Sequence, residues 1–62
     1  MSKKDYIVIA KALRETRDEA VRNAASPSAF TALEAVARNL ADALERENPA
    51  FDRARFLKAA GA

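Results

Sequence analysis

The stretch ASPSA at residues 25–29 decides the fold, because the same five residues stop one helix and start another. Pro27 has no N–H to give a preceding helix, and its ring pushes Ser26 toward extended backbone. Read forward, Ser26 is a good N-cap and Pro27 a good first helical residue. Upstream, Tyr6, Ile9, Ala10, Leu13, Ala20, Val21 and Ala24 recur at three- and four-residue spacing, which places them on one helical face. Ser2 followed by Asp5 resembles a capping box, so a first helix is predicted over about 3–25. Downstream, Phe30, Leu33, Val36, Ala37, Leu40 and Leu44 form the inward face of a second helix over about 27–47, ending before Asn48-Pro49. So short a connection between two long helices predicts an antiparallel hairpin.

The charged middle of the first helix, RETRDE at 14–19, offers i,i+4 pairs of opposite sign: Lys11 with Glu15, Arg14 with Asp18, Asp18 with Arg22. Arg17 and Thr16 fall in or beside the apolar stripe, where a long side chain must snorkel or the contact must break.

The third element is written in NPAFDRARFLKAAG, residues 48–61. Asp52 reads as an N-cap, Phe51 and Phe56 occupy the two positions of a hydrophobic staple, and Gly61 sits where a left-handed C-cap belongs. A helix over about 53–60 is too short to be stable alone and must pack on the hairpin. Phe51, Phe56 and Leu57 are expected to cover Ile7 and Val8, which point away from the main stripe, and so to close the open end of the hairpin. The fold class is all-α: an antiparallel helical hairpin plus a short C-terminal helix, in one domain spanning residues 1–62.

Half of the 62 residues are nominally hydrophobic, but 16 of those are Ala. Met1, Tyr6, two Ile, three Val, five Leu and three Phe remain to build a core. A single core in so small a chain supplies only about 3–5 kcal/mol, and oligomerisation is a common supplement. A homodimer is expected. On the second helix the apolar and Ala positions, including Ala29, Ala32, Val36 and Ala43, span more of the circumference than one packing stripe needs. That width suits a partner or dimer surface; Ala also favours helix and tolerates solvent, so both readings stay open at this stage.

The chain has neither Cys nor His, which removes the commonest transition-metal ligands and the commonest general base. Its only Gly, at 61, leaves no phosphate-binding loop, and the carboxylates sit at solvated helix positions beside opposite charges. Tyr6 reads as a core ring with its hydroxyl at the surface. No catalytic residue, cofactor or metal is expected. MSKK at the start is basic, but the apolar run YIVIA ends at Lys11, short of a signal sequence, and no stretch reaches the length of a membrane span. A cytoplasmic protein with no membrane role is expected.

The pI of about 9.4 overstates the basic character, since 11 Lys and Arg face 9 Asp and Glu, a net of +2. Arg53, Arg55 and Lys58, joined by Lys3 and Lys4, form a possible basic end able to meet phosphates. No helix carries the Asn, Gln and Arg cluster of a base-reading surface, so nucleic-acid binding is the alternative and protein–protein interaction the main expectation.

The two ends together resemble a family of small uncharacterised bacteriophage and prophage proteins, with a DY-x-x-IA-x-x-L start and an NP-x-FD-x-x-RFL-x-A-x-G finish. Asp5, Tyr6, Ile9, Ala10 and Leu13 match the first motif; Asn48, Pro49, Phe51, Asp52, Arg55, Phe56, Leu57, Ala59 and Gly61 match the second. The resemblance covers less than half the chain. It implies a phage accessory product in the bacterial host cytoplasm, binding a host or phage protein, and supplies no catalytic residue. Arg55, inside the finishing motif without an apolar reason to be there, is expected to pair with Asp52 or Asp5 or to meet a partner.

Overall fold

A computed structural model describes residues 2–62 as three helices: α1 Lys3–Arg22, α2 Pro27–Glu47 and α3 Arg53–Ala59. Met1, counted above among the core candidates, lies outside the described residues. The expected all-α hairpin with a short third helix is the architecture observed, and all three helices touch one another.

α1 and α3 begin with the cap bonds their sequences predict, and α2 begins on its proline. Before α1, the Asp5 carboxylate accepts from the Ser2 backbone N–H at 2.9 Å and from the Ser2 hydroxyl at 3.2 Å. Pro27 opens α2 behind an extended Ser26, whose hydroxyl pairs with that of Ser28 at 2.9 Å and caps no backbone N–H. Asp52 caps α3 by accepting from the Arg55 N–H at 3.0 Å.

The end of α1 departs from expectation. The helix stops at Arg22, three residues before the predicted boundary, because Ala24 turns into the left-handed region at φ 52°. Its N–H bonds the Val21 carbonyl at 3.2 Å and the next N–H, of Ala25, reaches back to Ala20 at 2.9 Å. That pair of bonds is a Schellman motif. The same motif closes α3, where the N–H of Gly61, at φ 79°, bonds Lys58 and that of Ala62 bonds Leu57.

The core consists of Ala10, Ala37, Ala41, Leu44, Phe51, Phe56 and Ala60, with Tyr6, Ile9, Leu13, Leu40 and Leu57 packed half-buried against it. Four of the seven buried residues are Ala, so small side chains bring the three backbones close. Phe51 and Phe56 form the expected staple, with ring centroids 5.4 Å apart at 60°.

The staple does not cover the residues assigned to it. Ile7 and Val8 are 59% and 62% exposed, and Phe51 instead meets Tyr6 edge-on at 4.8 Å. Tyr6 stands on the main stripe of α1, so α3 settles over that stripe and leaves Ile7 and Val8 outside. Val21 and Val36, assigned to the inward stripes, are exposed as well. Only Ala10 of α1 and Ala37, Ala41 and Leu44 of α2 are buried, so residues at the edges of the two stripes fall outside a narrow core.

Charges are paired between helices more than within them. None of the three i,i+4 pairs expected in α1 closes within 4 Å among the described residues. Arg17 reaches Glu34 of α2 at 3.6 Å, and Asp42 of α2 pairs with Arg53 of α3. Arg17 is the snorkelling side chain that its place in the stripe required, and its guanidinium stands 5.7 Å over the Phe30 ring.

Candidate functional site

Two surfaces among the described residues concern the expected partner contacts. The first is the strip of α2 carrying Ala29, Ala32, Val36 and Ala43, which three-, four- and seven-residue spacing puts on one side of the helix. None of the four belongs to the buried core. Ala29 and Ala43 are half-buried, Ala32 is exposed, and Val36 at the middle of the strip is 46% exposed. The strip is uncharged, and the neighbouring Leu33 and Leu40 are themselves only half-buried.

The second surface is a solvent-open groove of about 390 Å³ between the first turns of α1 and the Asn48–Ala59 segment. Its apolar lining comes from Tyr6, Ile7, Ala10, Phe51 and Phe56. The chain folds this way locally because Asn48 organises the turn after α2. Its side-chain oxygen accepts from the Ala50 N–H at 3.1 Å, its backbone carbonyl accepts from the Phe51 N–H at 2.9 Å, and its amide nitrogen donates to the Tyr6 hydroxyl at 3.4 Å. The Tyr6 ring is thus half-buried with its hydroxyl engaged by a neighbour. In the sequence Asn48 marked the stop of the second helix and a matched motif position; an Asn before Pro is a turn signal, but its tie to α1 needs the tertiary fold.

The three cations proposed as a basic end separate. Arg53 is engaged by Asp42. Lys58 lines a different depression, with Arg14, Arg17 and Asp18. Arg55 lines the groove together with Lys3 from α1, and neither has a carboxylate within 4 Å of its cationic head among the described residues. Only the Arg55 backbone N–H, and not its guanidinium, bonds Asp52.

The Ser2 backbone N–H, and then the Ser2 hydroxyl, hold the Asp5 carboxyl below the usual aspartate value. The cause is the cap of α1. Among the described residues no three His, Cys, Asp or Glu side chains gather where they could share a metal ion. No helix of the described residues is long and apolar enough to cross a membrane.

No family model, curated protein or solved structure matches the chain. The fold defines a small all-α helical hairpin braced by a third helix, with an uncharged strip on α2 and a basic-rimmed apolar groove.

Proposed function

We propose that this chain is a non-enzymatic interaction module that self-associates through α2 and acts on a protein partner. The observation that carries the reading is Val36. A β-branched apolar side chain, 46% exposed at the centre of an uncharged strip, stands on a helix whose adjoining face, through Ala37, Ala41 and Leu44, already supplies the core. Ala29, Ala32 and Ala43 around it let a second helix approach closely, and an apolar helix face laid against another is a recurring mode of recognition. The need is energetic too, since seven buried residues, four of them Ala, make a thin core for independent stability. A phage or prophage origin, a host or phage protein as partner, and a place in the bacterial cytoplasm follow from the resemblance of the two ends.

Sedimentation equilibrium over a concentration series, with helicity followed in parallel, tests the reading. The expected result is a dimer that loses helicity on dilution, and a Val36→Glu variant that sediments as a monomer at concentrations where the parent is dimeric. A well-folded monomer throughout overturns the self-association. A salt-sensitive shift of duplex DNA, lost when Arg53, Arg55 and Lys58 are replaced by Ala, replaces the reading with nucleic-acid binding.

A further inference from the structure

The groove beside Tyr6 lies on a different face from the α2 strip and its chemistry is more specific. We infer that it binds an acidic segment of a partner protein, taking one large apolar side chain against Ile7 and the aromatic floor while Lys3 and Arg55 hold the flanking carboxylates.

Three observations lead there. The first is the apolar lining. At about 390 Å³ the groove lies within the size range of ligand sites, roughly 300–1,000 Å³, and Ile7 forms an apolar lip that the described residues leave exposed. The second is the state of its polar groups. Asn48 is bonded to Tyr6 and Ala50, and an Asp52 oxygen accepts from the Arg55 N–H, so these groups are already engaged within the chain. The third is charge. Lys3 stands on the α1 side and Arg55 on the α3 side, giving two cations against the one carboxylate of Asp52. Neither cation has an ion-pair partner among the described residues. A bound segment with carboxylates on both sides of its anchor supplies one to each.

The same geometry argues against a nucleobase. Phe51 and Phe56 are 8% and 4% exposed and pack edge-on with Tyr6 and with each other, so neither presents a free ring face for stacking. A groove open to solvent suits one anchored side chain whose backbone runs out over the rim.

The test is an NMR titration of the ¹⁵N-labelled full chain with the peptide Glu-Glu-Leu-Phe-Glu-Glu. The comparison peptide is Gln-Gln-Leu-Phe-Gln-Gln. The expected result is that the acidic peptide shifts the amides of Ile7, Ala10, Ala50 and Ala59 at sub-millimolar concentration, and that the Gln peptide binds at least ten-fold more weakly. A Lys3→Glu, Arg55→Glu double variant loses at least ten-fold in affinity at unchanged helicity, because both side chains lie at the surface. Should that variant unfold, Ile7→Ser tests the apolar lip with both cations in place and should weaken binding several-fold. Val36→Glu should bind the peptide like the parent, so failure of the α2 interface and failure of the groove are told apart. Equal affinity for the two peptides, shifts confined to other surfaces, or no shift at millimolar peptide overturns the inference. So does a dimer that the Lys3→Glu, Arg55→Glu variant abolishes, since the groove would then hold a second copy.

Discussion

At the end of the hairpin where α1 begins and α2 ends, Tyr6, Phe51 and Phe56 interlock and α3 lies across both long helices. Toward the Asn23–Ser26 turn there are only two helices, and no residue from 11 to 36 is buried. Seven residues of α3 therefore separate two kinds of stability in one small chain. The braced half rests on aromatic burial and on small Ala residues that admit close backbones. In the turn half, Arg17 lies over Phe30 and pairs with Glu34, contacts that each contribute only about 0.2–1 kcal/mol when partly exposed. Burial in a domain this small is rationed by how many elements converge on a point, and three converge at one end only.

The largest test of this contrast is a pair of Phe truncations. Phe56→Ala empties a buried site between three helices and should cost about 3–5 kcal/mol. Against a total stability of only about 3–9 kcal/mol for a chain this long, that removes most of the folded population or its thermal transition. Phe30→Ala, in the turn half, removes a half-buried ring and should cost about 1–2 kcal/mol. Both belong in one set of thermal melts at one protein concentration, because self-association makes the midpoint depend on concentration. Equal losses would mean that the turn half is packed as tightly as the braced half, contrary to the burial pattern.

The braced half was also the more legible in the sequence, and for a local reason. Asp52, Phe51, Phe56 and Gly61 carry their meaning within ten residues, and the cap, the staple and the left-handed terminus all formed as their spacing dictates. The turn half misled because Ala24 does what Gly usually does: its left-handed φ has no compositional signature, and the apolar periodicity runs on past the true end of α1. Where α3 would settle was not local either. The exposure of Ile7 and Val8 follows from Phe51 choosing Tyr6, a contact across 45 positions of chain. The approach of Lys3 to Arg55 was legible as part of a basic end, but the apolar groove between them was not, since its lining depends on that docking.

The two Schellman ends sharpen the contrast at smaller amplitude. Both put a residue in the left-handed region, Ala24 in one half and Gly61 in the other. That conformation costs a non-Gly residue about 1–2 kcal/mol, part of which Gly gives back through its greater freedom when unfolded. Ala24→Gly should therefore stabilise by about 0.5–1 kcal/mol, read as a rise in Tm of about 4–8 °C per kcal/mol. Gly61→Ala should destabilise by more than its mirror gains. An added Cβ would stand 3.2 Å from Cδ of Arg17, so it meets α1 as well as adopting a disfavoured φ. If Ala24→Gly lowered Tm, relief of the left-handed strain would not be what limits the turn.

The smallest effect expected is that of acid on the start of α1, in the braced half. The Asp5 carboxyl is held below its ordinary value of 3.8 by the Ser2 N–H and hydroxyl. A carboxyl whose folded pKa is depressed contributes stability that is fully present above the unfolded value and lost as pH falls through the folded one. The contribution should thus be whole above about pH 5 and disappear on acidification below about pH 4, as the neutral acid stops accepting both bonds. Asp5 is fully exposed, so the change should read as fraying of the first turn and leave the aromatic cluster intact. Amide exchange at Ser2 and in the first turn of α1, followed from pH 6 to pH 3 and corrected for intrinsic exchange, should show protection falling there first. Asp5→Asn should lower that protection at pH 6 and flatten its response to acid. A wild-type first turn as protected at pH 3 as at pH 6 would mean that the carboxylate cap does not hold the start of α1. Tyr6 and its partners would then hold that end without it.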